Sequence, residues 1–311
     1  YIMTNLRKFF WEKYTLDQLN QDEWEALCDG CAKCCLLKLF DRKKIFITNI
    51  SCSKLELDNC RCSDYLNREK FMAFAHRGAN LLAPENSLES FKIASKLGFT
   101  NFEIDIQASK DGVPFVCHDN NLKRLTGMNV CLSNLSSADV KKIRLKDGHE
   151  IPKLIDLIEE FPNSCFNIDA KSWGVVDPLC NVLNSFTNTS NFCIAAFCDS
   201  RIRSILKKLK APICFSLGPR LVALFYFTMF TRIGLRFSAG CLQIPLTYKG
   251  FNIISKSVVE YAHSLNLKVH VWTINDEIIM NKLIDYGVDG IMTDDCRLLR
   301  KVLVKRNLWK C

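Results

Sequence analysis

The chain has 311 residues, with 48% hydrophobic and 24% charged side chains and a formal net charge of +9. That length and balance fit one large globular domain or two, and they exclude a low-complexity or disordered chain. The excess of Lys and Arg suits an anionic substrate or surface, whereas the absence of a long basic block argues against a nucleic-acid partner.

In chain order, Tyr1 to Phe10 carries Arg7 and Lys8 but no apolar stretch or small-residue cleavage site, so it does not read as a secretory signal. The expected compartment is the reducing cytoplasm, where disulfides are rare. A dense cysteine set follows: Cys28-x-x-Cys31-x-x-Cys34-Cys35, then Cys52, Cys60 and Cys62. Closely spaced thiolates suit Zn²⁺ or an iron–sulfur cluster, because short loops pre-orient soft ligands. Cys28, Cys31, Cys34 and Cys35 are the candidate ligands, and the plainer alternative is a set of thiols with no ion. The remaining cysteines are scattered in apolar strands, as at Cys165, Cys193 and Cys214, and read as small buried hydrophobes. Composition changes near Phe71, dividing a Cys-rich segment, 1–70, from a strand–helix domain, 71–311. Arg68-Glu69-Lys70 runs into the apolar Phe71 to Ala75 with no Pro/Gly/Ser linker, an abrupt join for two independent domains.

From residue 71 onward, short apolar runs predict buried parallel strands at 72–77, 101–107, 166–170, 192–197, 213–217, 241–246, 268–274 and 289–293. Helical patterns lie between them. Asn86-Ser87-Leu88-Glu89 reads as a capping box for a helix through Leu88, Phe91, Ala94 and Leu97 that Gly98 stops. Ser257-Val258-Val259-Glu260 reads as a second box, and Gly287 ends a helix through Leu283 and Ile284. Eight strands with intervening helices predict an α/β fold, a (β/α)₈ TIM barrel. A further strand, Val113 to Cys117, follows its predecessor after only Lys110-Asp111-Gly112. A parallel crossover needs a dozen residues or more, so this is a β-hairpin inserted at the C-terminal rim. It folds His118 back toward the barrel mouth. The apolar run Leu221 to Phe230, between Arg220 and Arg232, is shorter than the ~20 residues a transmembrane helix needs. It reads as a packed helix or loop, or as an interfacial patch giving peripheral membrane contact.

The chemistry concentrates at the strand ends. Glu103 and Asp105 are two apart on one strand, so both point to one face. Two carboxylates aimed into a barrel mouth repel unless a cation joins them, and oxygen ligands suit Mg²⁺ or Ca²⁺. Asp169 and Lys171 repeat the spacing, offering a third ligand and a point charge for phosphate. His76 and His118 are candidates for proton transfer, and Arg77 can pair with a phosphate in bidentate fashion. Such a set implies metal-assisted cleavage of a phosphodiester.

His76-Arg77-Gly78, Pro84-Glu85-Asn86, Glu103-x-Asp105, Lys110-Asp111-Gly112, His118-Asp119, Arg124-x-Thr126-Gly127, Ile151-Pro152-x-Leu154, Trp272-Thr273-x-Asn275 and Asp289-Gly290-Ile291-x-Thr293-Asp294 follow one another in order. Through them the chain from about 72 to 304 resembles the glycerophosphodiester phosphodiesterase family. The resemblance implies a barrel enzyme that hydrolyses small glycerophosphodiesters to an alcohol and sn-glycerol 3-phosphate with a divalent cation. It implies His76 and His118 as the acid/base pair and Glu103 and Asp105 as metal ligands. Arg77 and Lys171 fall at phosphate-contacting positions, and Trp272 at a pocket-lining one. Asp169 stands where the family has a glutamate, one methylene longer, which bears on metal affinity and rate. Residues 10–68 resemble a second family, the CxxCxxCC proteins described as zinc- or iron-chelating, through Trp24-Glu25-x-Leu27-Cys28-Asp29-Gly30-Cys31 and Cys60-Arg61-Cys62-x-Asp64-Tyr65-x-Asn67-Arg68. That family continues where this chain switches to the barrel, so the head reads as truncated. Two alternatives stay open: a lysophospholipase D-type phosphodiesterase using the run 221–230 for an acyl chain, and a Cys-rich metal-binding protein with an inactive barrel.

Overall fold

The computed structural model describes residues 71–231 and 233–309, together with the strand segments Leu36–Asp41, Lys44–Ser51, Leu55–Glu56 and Arg61–Cys62. The chain divides into two units, Tyr1–Lys70 and Phe71–Cys311. In the first, Leu36–Asp41 pairs antiparallel with Lys44–Ser51, and Leu55–Glu56 with Arg61–Cys62. The candidate ligands Cys28, Cys31, Cys34 and Cys35 lie outside the described residues.

In the second unit, eight parallel strands alternate with eight helices. The strands are β1 (Met72–His76), β2 (Asn101–Ala108), β4 (Cys165–Ala170), β5 (Phe192–Ala195), β6 (Cys214–Phe215), β7 (Cys241–Pro245), β8 (Lys268–Trp272) and β9 (Gly290–Thr293); the short β3 (Pro114–Val116) pairs antiparallel with β2. The helices of seven residues or more are α1 (Leu88–Lys96), α2 (Leu154–Glu160), α3 (Val176–Leu183), α4 (Asp199–Lys208), α5 (Pro219–Thr231), α6 (Lys256–Ser264), α7 (Glu277–Asp285) and α8 (Cys296–Lys305). Neighbours run β6-β5-β4-β2-β1-β9-β8-β7. A bridge between Ser216 and Cys241 closes the ring, supported by Leu217 N–H donating to Cys241 O at 3.0 Å and Gly240 N–H to Phe215 O at 3.0 Å. This is a TIM barrel.

Alternation along each strand sorts its side chains into two layers. On β2, Phe102, Ile104 and Ile106 are fully buried; the Phe102 ring meets Phe91 of α1, Phe161 after α2 and Phe166 of β4 at centroid distances of 5.2 to 5.9 Å. The alternate residues, Glu103 and Asp105, point into the barrel. Apolar burial on this scale, about 25 cal/mol per Å², holds the helix ring to the strands. The hairpin forms as predicted, with Gly112 at φ +78° closing the turn and Ser109 N–H donating to Val113 O. β3 and the segment after it share a small core of their own, with Phe115, Leu122, Leu132, Val140 and Ile151.

The helix starts differ from the predicted boxes. Ser87, not Asn86, caps α1, its hydroxyl accepting from Ser90 N–H; Asn86 sits at φ +58°, outside the extended region a cap needs. Ser255, in extended backbone, caps α6 through Val258 N–H, leaving Ser257 inside the helix. Several strands are shorter than predicted: β5 ends at Ala195 and β8 at Trp272, and β6 spans only Cys214–Phe215, because the ring closes over it by a single bridge. The run 221–230 lies in α5, with Phe225 buried and Phe227 and Phe230 exposed. No described helix is long and apolar enough to cross a membrane.

Candidate active site

Parallel register assembles the site. His76 pairs with Glu103 across β1 and β2, and Asp105 pairs with Asp169 across β2 and β4. Four functional side chains therefore meet at the C-terminal ends of three adjacent strands. Oxygen atoms of Glu103, Asp105 and Asp169 all lie within 4.8 Å of one another, and all three residues are buried.

Mutual repulsion and burial show in the electrostatics. Burial first, then the neighbouring Asp105 carboxylate, pushes Glu103 up to about 8. Burial likewise raises Asp169, against the pull of Lys171. Asp105 goes the other way: burial would raise it, but Lys171 and Arg77 together hold it below the usual carboxylate range. The Lys171 ammonium lies 2.7 Å from both Asp105 Oδ1 and Asp169 Oδ2. Arg77 Nε lies 3.0 Å from Asp105 Oδ2, although its N–H is not directed at that oxygen. Asp169 Oδ1 is buried with no hydrogen-bond partner. Three converging carboxylates with an unsatisfied oxygen fit a hard divalent cation, and Asp169 reaches the cluster despite its short side chain.

The loop after β1 is built for close approach. Arg77 and Gly78 adopt φ +56° and +81°, turning the chain back so that Arg77 N–H meets Glu103 O at 3.0 Å and Asn86 N–H meets Arg77 O at 2.9 Å. Asn86 Nδ2 donates to Asp105 Oδ2 at 3.0 Å. Glu85 does not join the carboxylate cluster; it bonds Arg77 and, bidentately, Arg124. Arg124 also holds Asp119, which bonds His118 Nδ1 at 2.6 Å. A charged chain thus links the β1 loop to the hairpin segment, and Cys117 N–H donating to Asp105 O at 2.8 Å brings His118 to the mouth.

His76 has a counterpart arrangement. Its Nδ1 lies 2.7 Å from Asp294 Oδ1, which Asn80 also bonds, while Asn275 holds the other oxygen. Its Nε2 is 3.7 Å from Glu103 Oε2. Burial lowers the imidazole's affinity for a proton, but the Glu103 and Asp294 carboxylates outweigh it and the pKa is raised. Trp272, at the end of β8, meets Phe197 edge-on at 5.7 Å, and Lys171 sits 5.8 Å from the Phe197 ring. Every predicted barrel residue thus falls at one rim. Asp294, Asn86 and Phe197 belong with them but were given no place in the site from the sequence; Asp294 and Asn86 stood inside quoted motifs, whereas nothing marked Phe197.

Comparison with known proteins agrees with this geometry. The profile of the glycerophosphoryl diester phosphodiesterase family matches residues 76–197 and 223–298. A Mycobacterium tuberculosis protein named "Probable glycerophosphodiester phosphodiesterase 2" is 33% identical over 254 residues, covering 79% of this chain and 96% of its own. A glycerophosphodiester phosphodiesterase of Caldanaerobacter subterraneus is 29% identical over 260 residues, covering 76% and 99%. Among solved structures, an Oleispira antarctica phosphodiesterase in complex with the product sn-glycerol-3-phosphate shares the fold with a TM-score of 0.64 at 22% identity, covering 76% of this chain and 97% of that one. The head is similar to a different protein, a UPF0260 protein of Pseudomonas putida, at 54% identity over 69 residues, which are 22% of this chain and 43% of that protein. The chain spans less than half the length of such head relatives. Register, carboxylate cluster, paired histidines and the match across most of the barrel lead to one assignment: the chain belongs to the glycerophosphoryl diester phosphodiesterase family.

Proposed function

We propose that the barrel hydrolyses small glycerophosphodiesters to an alcohol and sn-glycerol 3-phosphate, with His76 and His118 as the acid/base pair. The observation that carries this reading is the pairing of each imidazole Nδ1 with its own carboxylate, Asp294 and Asp119. Each pair orients the ring and leaves Nε2 as the nitrogen that exchanges protons. One histidine takes the proton of the attacking water, and the other gives a proton to the leaving alkoxide. Glu103, Asp105 and Asp169 would hold the divalent cation, Mg²⁺ or Ca²⁺, which supplies polarisation of a phosphoryl oxygen. Arg77 and Lys171, close to those carboxylates, place positive charge beside the phosphate. Trp272 and Phe197 form an apolar wall for the glycerol moiety. His118→Ala is expected to lower turnover by about 10²–10⁴-fold, the usual worth of such catalysis, with the circular dichroism spectrum unchanged. Loss of less than tenfold removes His118 from the pair.

A second reading extends the substrate to lysophospholipids. It is favoured by exposed aromatic side chains at Phe197 after β5 and at Tyr248 and Phe251 after β7, with Phe227 and Phe230 exposed on α5. Hydrolysis of lysophosphatidylcholine but not glycerophosphocholine distinguishes it, and such a substrate implies contact with a lipid surface. The Cys-rich head, 1–70, reads as a thiolate segment for Zn²⁺ or an iron–sulfur cluster, and metal analysis of the purified full chain tests it. The setting proposed for this chemistry is the cytoplasm, where thiols stay reduced.

A further inference from the structure

The barrel has a second cluster of donors at the end opposite the carboxylates. Cys193 is the second residue of β5, and Cys214 and Cys241 open β6 and β7. All three sit where strands begin, at the N-terminal end of the ring. Cys193 pairs in register with Asn167 and Cys214, and Asn167 accepts a hydrogen bond across the barrel interior from Gln243, two residues beyond Cys241. The three thiols therefore gather beside the Asn167–Gln243 pair.

Their sulfur atoms lie within 4.8 Å of one another, and Cys193 Sγ is 3.7 Å from Cys241 Sγ. A tetrahedral ion with metal–sulfur bonds of about 2.3 Å has sulfur–sulfur edges of roughly 3.8 Å, so the pair already stands at the separation such an ion requires. The thiols contact one another and not only apolar neighbours, Cys193 and Cys241 standing within hydrogen-bond reach. Here even the backbone accommodates them: a Cβ on Gly240 would come within 2.8 Å of Cys214 Sγ. Cys241 is buried, Cys193 half-buried and Cys214 exposed, which leaves a route for an ion from the bottom of the barrel.

Location supplies the reason. The junction between β6 and β7 is the weakest in the ring, with one bridge, Ser216 to Cys241, and a strand of only two residues. The thiols come from the strand before that junction and the two that flank it. We propose that Cys193, Cys214 and Cys241 form a trithiolate site for a soft d¹⁰ cation such as Zn²⁺, which staples the β6–β7 seam and is separate from the carboxylate centre.

The test uses the reduced full chain, wild type and Cys214→Ser, with Cys131→Ser as a control outside the cluster. Zn²⁺ is titrated against a competing chelator and the bound ion counted per chain; Cd²⁺ replaces it in a parallel titration read by thiolate-to-metal charge-transfer absorption. Because thiols of the head are present in every protein, the difference between variants is the measurement. Cys214→Ser is expected to bind one ion fewer per chain than wild type and Cys131→Ser, with a smaller charge-transfer band. Hydrogen exchange at the amides of Leu217 and Gly240, which donate across the seam, is expected to slow on Zn²⁺ addition in wild type and Cys131→Ser but not in Cys214→Ser. Equal stoichiometry in wild type and Cys214→Ser overturns the site. A lost ion with seam amides that exchange alike in both proteins overturns the staple.

Discussion

Gly78 stands at φ +81°, and a Cβ there would fall 2.2 Å from Ser90 Oγ and 2.9 Å from the Ser90 carbonyl carbon. Rotating a serine hydroxyl clears the first clash but not the second, so the backbone of α1 would have to move. Gly78→Ala is expected to destabilise the barrel by about 2 kcal/mol or more, measured by urea unfolding; wild-type stability would mean the loop has another geometry. Asp169 offers a second test. Its oxygen reaches the cluster, yet one oxygen is tied to Lys171 and the other has no partner. Asp169→Glu, restoring a methylene, is expected to keep or raise turnover and tighten the cation, read as activity against cation concentration. A clear loss with the fold intact would show the pocket is cut for aspartate. At this scale the sequence is readable where a residue is out of place in its surroundings: Glu103, Asp105 and Asp169 are charges in apolar strands, and His76 and His118 end apolar runs. The partner of His76 is less readable. Asp294 lies 218 residues away in sequence, and only the closure of the ring, β9 beside β1, brings it there. Asn86 shows the opposite error, since cap-forming residues also suit left-handed turns, and local spacing does not separate the two uses.

Among elements, the join of α6, β8 and β9 depends on one carboxylate. Asp289, just before β9, accepts from Val269 N–H at 2.8 Å and from Lys268 and His263 at 2.7 Å each. Burial would raise it, but these donors hold Asp289 below the usual carboxylate range. A depressed carboxylate gives stability that is present above its unfolded pKa of about 3.9 and is lost as pH falls through the lower folded value. Asp289→Asn is expected to cost about 1–3 kcal/mol at neutral pH, and the gap to wild type should close as pH drops below about 4. A gap that persists unchanged into acid would show that shape, not charge, is what the variant removes. Element positions were otherwise legible because period-2 and period-3.6 patterns record burial on one or two faces. The hairpin followed from length alone. Strand ends were not legible: β6 reads as a run of five residues, 213–217, in sequence and pairs over two, because its neighbour touches it at one bridge.

For the whole molecule, the family profile matches residues 76–197 and 223–298, and the barrel covers nearly the full length of the M. tuberculosis relative, whereas the head matches under half of its own relatives. Catalysis is therefore assigned to the residues after Phe71. Burial raises Glu103 and Asp169 as carboxylates in want of a cation, which makes cation dependence the property on which the assignment rests most. The most direct measurement is release of glycerol 3-phosphate from glycerophosphocholine and glycerophosphoethanolamine by the full chain, run in parallel with EDTA, Mg²⁺ and Ca²⁺. Release that EDTA abolishes and one of the two cations restores is the predicted result. Release indifferent to EDTA, or none with either cation, would contradict a metal-dependent glycerophosphodiesterase built on Glu103, Asp105 and Asp169.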